Sequence, residues 1–256
     1  MAILKTKPPV VLTITLLFLA VTGEPRSTSP NGQTAPRTSA ISIPNRSNAD
    51  PQKSDRVGQS RVMLDQWESA QGLPQNSVID LARTKDGHLW VATQEGVSRF
   101  DGIEFKNYKD MPGWANGSIF ANVILASKDD SLWVGTRDGL NKIKKDHFTA
   151  YTKDSGLPDT YINALAEDSS GTIWIGTRNG IAKLSQGRIS TLTTKDGLVD
   201  NDTRNITITR DGSVWIGTEK GLTRITQNGG GGRFEKITED SGLSSNKISE
   251  VYESPD

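Results

Sequence analysis

Arg137 and Arg178 stand at the same place in two consecutive copies of an internal repeat. A guanidinium is a planar, permanently charged fork of N–H donors, so the two could together grip a carboxylate. The competing reading is a pair of solvated surface charges. Trp114 lies in an enlarged loop and breaks the repeat. Such a ring either stacks on a sugar ring or caps its own unit. Asn76, Asn116, Tyr161 and Glu219 occupy loops at the same end of the repeats and complete the candidate ligand-binding set. None of this resembles a catalytic cluster. The two histidines, His88 and His147, fall in different columns of the repeat, whereas a zinc site needs three or four ligands. Cysteine is absent, which excludes disulfides and thiolate metal sites. The expectation is a binding surface with no catalytic residue, no metal and no cofactor.

The elements that position these residues follow from the tryptophans. Trp90, Trp133, Trp174 and Trp215 are 43, 41 and 41 residues apart, in HLWVATQEG, SLWVGTRDG, TIWIGTRNG and SVWIGTEKG. A period of about 40–50 residues made of short strands marks a β-propeller blade. The predicted fold is all-β, with four-stranded antiparallel blades. In the first copy the strands are predicted at 78–83, 88–93, 97–100 and 103–108. Asp-Gly pairs turn the hairpins, as in Lys85-Asp86-Gly87. The glycine six residues after each tryptophan suits a positive φ. The threonine three residues after each tryptophan is expected to satisfy backbone groups of the hairpin. The tryptophans themselves should fill the wedge between blades.

In register, the repeats cover roughly 73–110, 117–152, 158–193 and 200–240. Residues 61–67, with Leu64 and Trp67, match an outer strand of a blade whose inner strands are missing. Residues 244–256 match the start of a fifth unit, whose tryptophan would fall at position 260. A ring of about six to eight blades at ~41 residues each needs on the order of 250–330 residues. The stretch 61–256 is therefore expected to be an incomplete propeller of four complete and two partial units, a fragment of a larger ring.

Ahead of it, Lys5 and Lys7 precede an apolar run from Val10 to Val21, too short to span a bilayer. Residues 1–23 read as a secretory signal peptide, with an uncleaved anchor as the alternative. Residues 24–60 are rich in Pro, Ser, Thr, Asn and Gln and read as a disordered linker. Thirty basic side chains balance thirty acidic ones, so no net field points to nucleic acid.

The runs GLPQNSVIDLARTKDGHLWVATQEGVSRF, GLPDTYINALAEDSSGTIWIGTRNGIAKL and GLVDNDTRNITITRDGSVWIGTEKGLTRI resemble the two-component regulator propeller repeat. Ala92 in place of glycine, Asp130-Ser131 in place of Asp-Gly and Met111-Pro112 in place of Leu-Pro depart from its pattern. The resemblance implies a seven-bladed extracytoplasmic sensor. Its partners would be a small-molecule ligand, glycans among the classes implied, and an output domain of the same protein such as a histidine kinase or diguanylate cyclase. It implies no nucleic-acid contact by this region, and a membrane tie only through the leader or a further helix. An exported propeller lyase and a protein-binding scaffold are the alternative functions.

Overall fold

A computed structural model of the protein describes residues 2–4, 15–18, 37–42, 61–109, 112–228 and 231–254. Four antiparallel four-stranded sheets succeed one another, and in each the spatial order is the sequence order. Blade 1 consists of Val78–Arg83, Leu89–Thr93, Gly96–Phe100 and Phe105–Asn107. Blade 2 consists of Ala121–Ala126, Leu132–Thr136, Leu140–Lys144 and His147–Tyr151. Blade 3 consists of Ile162–Glu167, Ile173–Thr177, Gly180–Ser185 and Arg188–Leu192. Blade 4 consists of Thr203–Ile208, Val214–Thr218, Gly221–Asn228 and Gly231–Ile237. The protein is all-β, with the sheets arranged as propeller blades.

Each blade is held locally by the same few contacts. The threonine of each second strand, exemplified by Thr177, donates its hydroxyl to the Gly180 carbonyl at 2.7 Å and accepts the Asn179 N–H at 3.1 Å. Thr93, Thr136 and Thr218 make the same pair of bonds. This satisfies hairpin backbone groups that would otherwise be buried unpaired. Gly180 has φ +110°, and a Cβ there would lie 2.6 Å from the Leu192 carbonyl oxygen. Glycine is therefore required on two grounds, conformation and space.

The core lies between blades, not within them. Trp90 packs with Ala121, Ile124, Leu132 and Val134 of blade 2. Trp133 packs with Ile162, Leu165, Ile173 and Ile175 of blade 3. Trp174 packs with Ile206, Val214 and Ile216 of blade 4. Strand alternation explains the arrangement. In Leu132-Trp133-Val134 the tryptophan faces the next blade while its neighbours face the previous one. Opposite each tryptophan on the third strand stands a cation: Arg99, Lys142, Lys183 or Arg224. Each lies over the ring, at 5.9, 5.0, 4.7 and 5.0 Å from the centroid respectively. These cross-strand cation–π pairs lid the outer face of the wedge. The basic residue nine positions after each of the four repeat tryptophans was a signal readable in the sequence.

One interface carries an extra latch. The Tyr108 hydroxyl donates to Asp146 Oδ1 at 2.6 Å, and Lys106 Nζ meets Asp146 Oδ2 at 2.6 Å. Lys106 and then Tyr108 hold the Asp146 carboxyl below the usual carboxylate range. A depressed carboxylate contributes stability above its unfolded pKa, and that contribution fades as pH falls through the folded value. Tyr108→Phe is expected to destabilise the protein by about 0.5–1.5 kcal/mol at pH 7. Urea melts should show that gap narrowing below about pH 4, the ordinary aspartate range, as Asp146 protonates.

The outer hairpin of blade 4 is longer than those of the other blades, with Asn228 paired to Gly231. Extra residues in register add ladder hydrogen bonds instead of a loop that would leave them unpaired. Arg61–Gln66 is a strand, flanked by Thr15–Phe18 and Arg37–Ser42, while Trp67 meets Phe100 edge-on at 5.1 Å. Ala2–Leu4 pairs with Val251–Glu253, and Ile248 and Val251 pack against Leu222 of blade 4. The rest of segments 1–23 and 24–60 lies outside the described residues.

Candidate functional site

The innermost strand of every blade breaks register with the second strand at the same place. In blade 3, Ile162 pairs with Thr177 and Ala164 with Gly176, leaving Asn163 as the extra residue. Ile79, Asn122 and Arg204 are its counterparts in blades 1, 2 and 4. A β-bulge of this kind re-aims the side chain of the unpaired residue. Here the bulge delivers Asn122, Asn163 and Arg204 to one open depression of about 320 Å³, completed by Tyr161, Glu219, Ile248 and Ser249. Its walls come from blades 2, 3 and 4 and from the segment that follows blade 4.

The bulged residues differ in what they do. Asn122 Nδ2 donates to the Ile162 carbonyl at 3.1 Å, and Asn163 Nδ2 to the Thr203 carbonyl at 2.9 Å. Each thus bridges to the next blade, with its orientation fixed. Arg204 instead pairs with Asp202 at 2.8 Å and approaches Glu219 at 3.6 Å. Lys247 closes on the other oxygen of Glu219 at 3.4 Å. Blade 4 therefore replaces a neutral amide bridge with a charged network beside the depression.

The expected site residues divide into two groups. Tyr161 and Glu219 do line the depression. Arg178 stacks on Tyr161, its Cζ 3.6 Å from the ring centroid, so it neighbours a lining residue without being one itself. Arg137 makes the equivalent stack on Phe120 at 3.9 Å, one blade earlier. The other three candidates serve the scaffold. Trp114 is not an exposed platform. It is 8% exposed, meets Phe148 edge-on at 5.3 Å and donates its indole N–H to the Tyr108 carbonyl at 3.0 Å. Burying so large a ring in the wedge between blades 1 and 2 is more favourable than leaving it in water. Asn116 holds its turn with φ +49° and a bond from Nδ2 to the Asp138 carbonyl at 2.7 Å. Asn76 accepts the Ser69 N–H and hydroxyl at 2.6 and 2.7 Å. Asn201 and Asn246 tie the equivalent connectors in the same way, so this column is turn chemistry. The histidines lie apart: His88 Nδ1 faces Asp86 at 2.8 Å, and His147 Nδ1 faces the Lys145 carbonyl at 2.9 Å.

Sequence reasoning missed Asn122, Asn163 and Arg204. They belong to a strand column that strict alternation places elsewhere, and only the bulge brings them to the mouth. Their column does vary in chemistry (Ile, Asn, Asn, Arg, then Ser249), and that variation was the available signal.

Known proteins with this architecture are recognisable. The two component regulator propeller family matches residues 72–95 and 156–179. A 41-residue stretch is 51% identical to histidine kinase P4 of Formosa agariphila, covering 16% of this chain and 3% of the kinase. The extracellular domain of a hybrid two component system from B. thetaiotaomicron superposes with a TM-score of 0.61 at 21% identity, over 74% of this chain and 26% of that one. Virginiamycin B lyase from Staphylococcus aureus superposes with a TM-score of 0.56 at 13% identity, over 72% of this chain and 61% of the lyase. At such identities the superpositions speak for the fold alone. The chain thus spans small parts of the two signalling proteins it matches. Residues 72–95 and 156–179 match the two component regulator propeller repeat, and in these segments the chain is similar to that family.

Proposed function

We propose that this propeller is the extracytoplasmic, ligand-sensing module of a bacterial two-component-type regulator, and that it acts by binding without turnover. The observation that carries this reading is the depression walled by bulged residues of successive blades, where the repeats differ in chemistry. An occupant would touch blades 2, 3 and 4 together, so its affinity would depend on how those blades sit against one another. Differential affinity of that kind is what allows a ligand to bias a conformational equilibrium and an output domain joined to it. The basic-then-apolar leader and the similarity to that family support a placement outside the cytoplasmic membrane.

The test is a thermal-shift screen of small organic molecules against the whole chain, followed by Asn163→Ala and Arg204→Ala. Hits are expected to lose their shift in both variants. In a chimera fusing the propeller to a histidine-kinase reporter, the same substitutions should silence the response. A hit that stabilises both variants as well as the parent would place the ligand elsewhere and refute this reading.

A further inference from the structure

Most cations around the depression are already engaged. Arg204 pairs with Asp202, Lys247 with Glu219 and Lys220 with Asp200. Arg178 is different. Its guanidinium is held by the face of Tyr161 and has neither a carboxylate nor a hydrogen-bond acceptor among the described residues. At 3.6 Å, its ring contact is shorter than any of the four cation–tryptophan contacts of the wedges. A stacked guanidinium keeps its planar edge of donors free, and the stack removes much of the side-chain entropy that binding would otherwise cost. Arg178 is thus an unused, oriented anion fork stacked on Tyr161, a lining residue of a polar depression.

Two neighbouring groups have complementary chemistry. The amide nitrogens of Asn122 and Asn163 are committed to carbonyls of the next blade. That commitment turns their side-chain oxygens into acceptors of fixed direction, and neither oxygen has a donor among the described residues. Acceptors of this kind suit ligand hydroxyls.

We infer that the depression recognises a hydroxylated carboxylate, its carboxylate taken by the Arg178 fork on Tyr161 and its hydroxyls by Asn122 and Asn163. This rests on the ligand-binding reading above and specifies the class of ligand. Arg137 repeats the stack on Phe120, which unlike Tyr161 does not line the depression, so it serves as the internal control.

The experiment titrates galacturonate and its uncharged methyl ester into the whole chain, following arginine Nε–Hε and asparagine side-chain NMR signals. The acid should shift the signals of Arg178, Asn122 and Asn163 and bind at least about tenfold more tightly than the ester, the scale of a charge-assisted hydrogen-bond pair. Arg178→Gln should reduce the acid to the level of the ester, while Arg137→Gln leaves it unchanged. Arg178→Lys, which keeps the charge without the fork, should fall between. Equal binding of acid and ester at Asn122 and Asn163 would overturn the carboxylate assignment and leave the ligand-binding reading standing. Acid that perturbs Arg137 and Arg178 alike without moving either asparagine would show unspecific ion pairing and overturn it as well. No response from any of the three residues overturns the assignment, and the thermal-shift screen then decides the broader reading separately.

Discussion

Trp174→Ala is expected to destabilise the protein by about 3–5 kcal/mol, enough to unfold a domain of ordinary stability at modest denaturant. Trp174 is 1% exposed and forms the centre of the wedge between blades 3 and 4. Deleting it removes the apolar contact and leaves a cavity that two stiff sheets cannot close. A finer comparison separates packing from hydrogen bonding. The Trp174 indole N–H reaches Asp168 Oδ2 at 3.0 Å, whereas those of Trp90 and Trp133 are buried without a protein acceptor. Asp168 can play this part because blade 3 exchanges the usual order of donor and acceptor. Asp168 accepts from Ser170, where blade 1 has Thr84 donating to Asp86 and blade 4 has Thr209 donating to Asp211. Trp174→Phe should therefore cost about 1–2 kcal/mol more than Trp133→Phe, since only the former discards a made hydrogen bond and the latter removes an unsatisfied donor. Urea denaturation followed by circular dichroism measures both. Equal costs would show that the indole nitrogens contribute nothing beyond ring volume.

The scaffold was legible because its determinants are repeated. Tryptophan, glycine and threonine recur at fixed offsets, and each does in every blade the job its chemistry suggests. The site was legible only in part. Tyr161 and Glu219, which line the candidate depression, could be singled out because loops between repeats were expected to meet at one end. Trp114 misled because an aromatic in a variable loop gives no sign, in one dimension, of which side it will be buried on. Asn76 misled because an asparagine that closes a turn looks the same as one offered to a ligand. Asn122, Asn163 and Arg204 were hidden for a different reason. A one-residue bulge reverses the inward and outward alternation of the strand, and no residue type in that column announces it.

The second large effect concerns the glycine after each tryptophan-valine or tryptophan-isoleucine pair, and it shows why Ala92 departs from the repeat. Gly176 does not have a positive φ, so its requirement is purely one of space: a Cβ there would lie 2.6 Å from Thr203 Cγ2 and 3.1 Å from Ala164 Cβ. Gly135 meets Ile162 in the same way at 2.6 Å, and Gly217 meets Ile248 at 2.7 Å. The position sets how closely adjacent blades approach. In blade 1 the glycine is Ala92, and the residue in the matching column of the next blade is Ala121 in place of Ile162, Thr203 or Ile248. The added methyl is accommodated because its partner gave one up. Gly176→Ala alone should cost about 1–3 kcal/mol through overpacking. Thr203→Ala alone should cost about 1 kcal/mol for the lost methyl, since the Thr203 hydroxyl has no partner to lose. Together they recreate the Ala92–Ala121 pair and should restore at least half of the glycine penalty, a coupling of about 1 kcal/mol. Full recovery is not expected, because the Ala164 Cβ remains close. Strict additivity of the two substitutions would mean that the blades move apart as rigid bodies to admit the methyl, and that blade spacing is set elsewhere than at this contact.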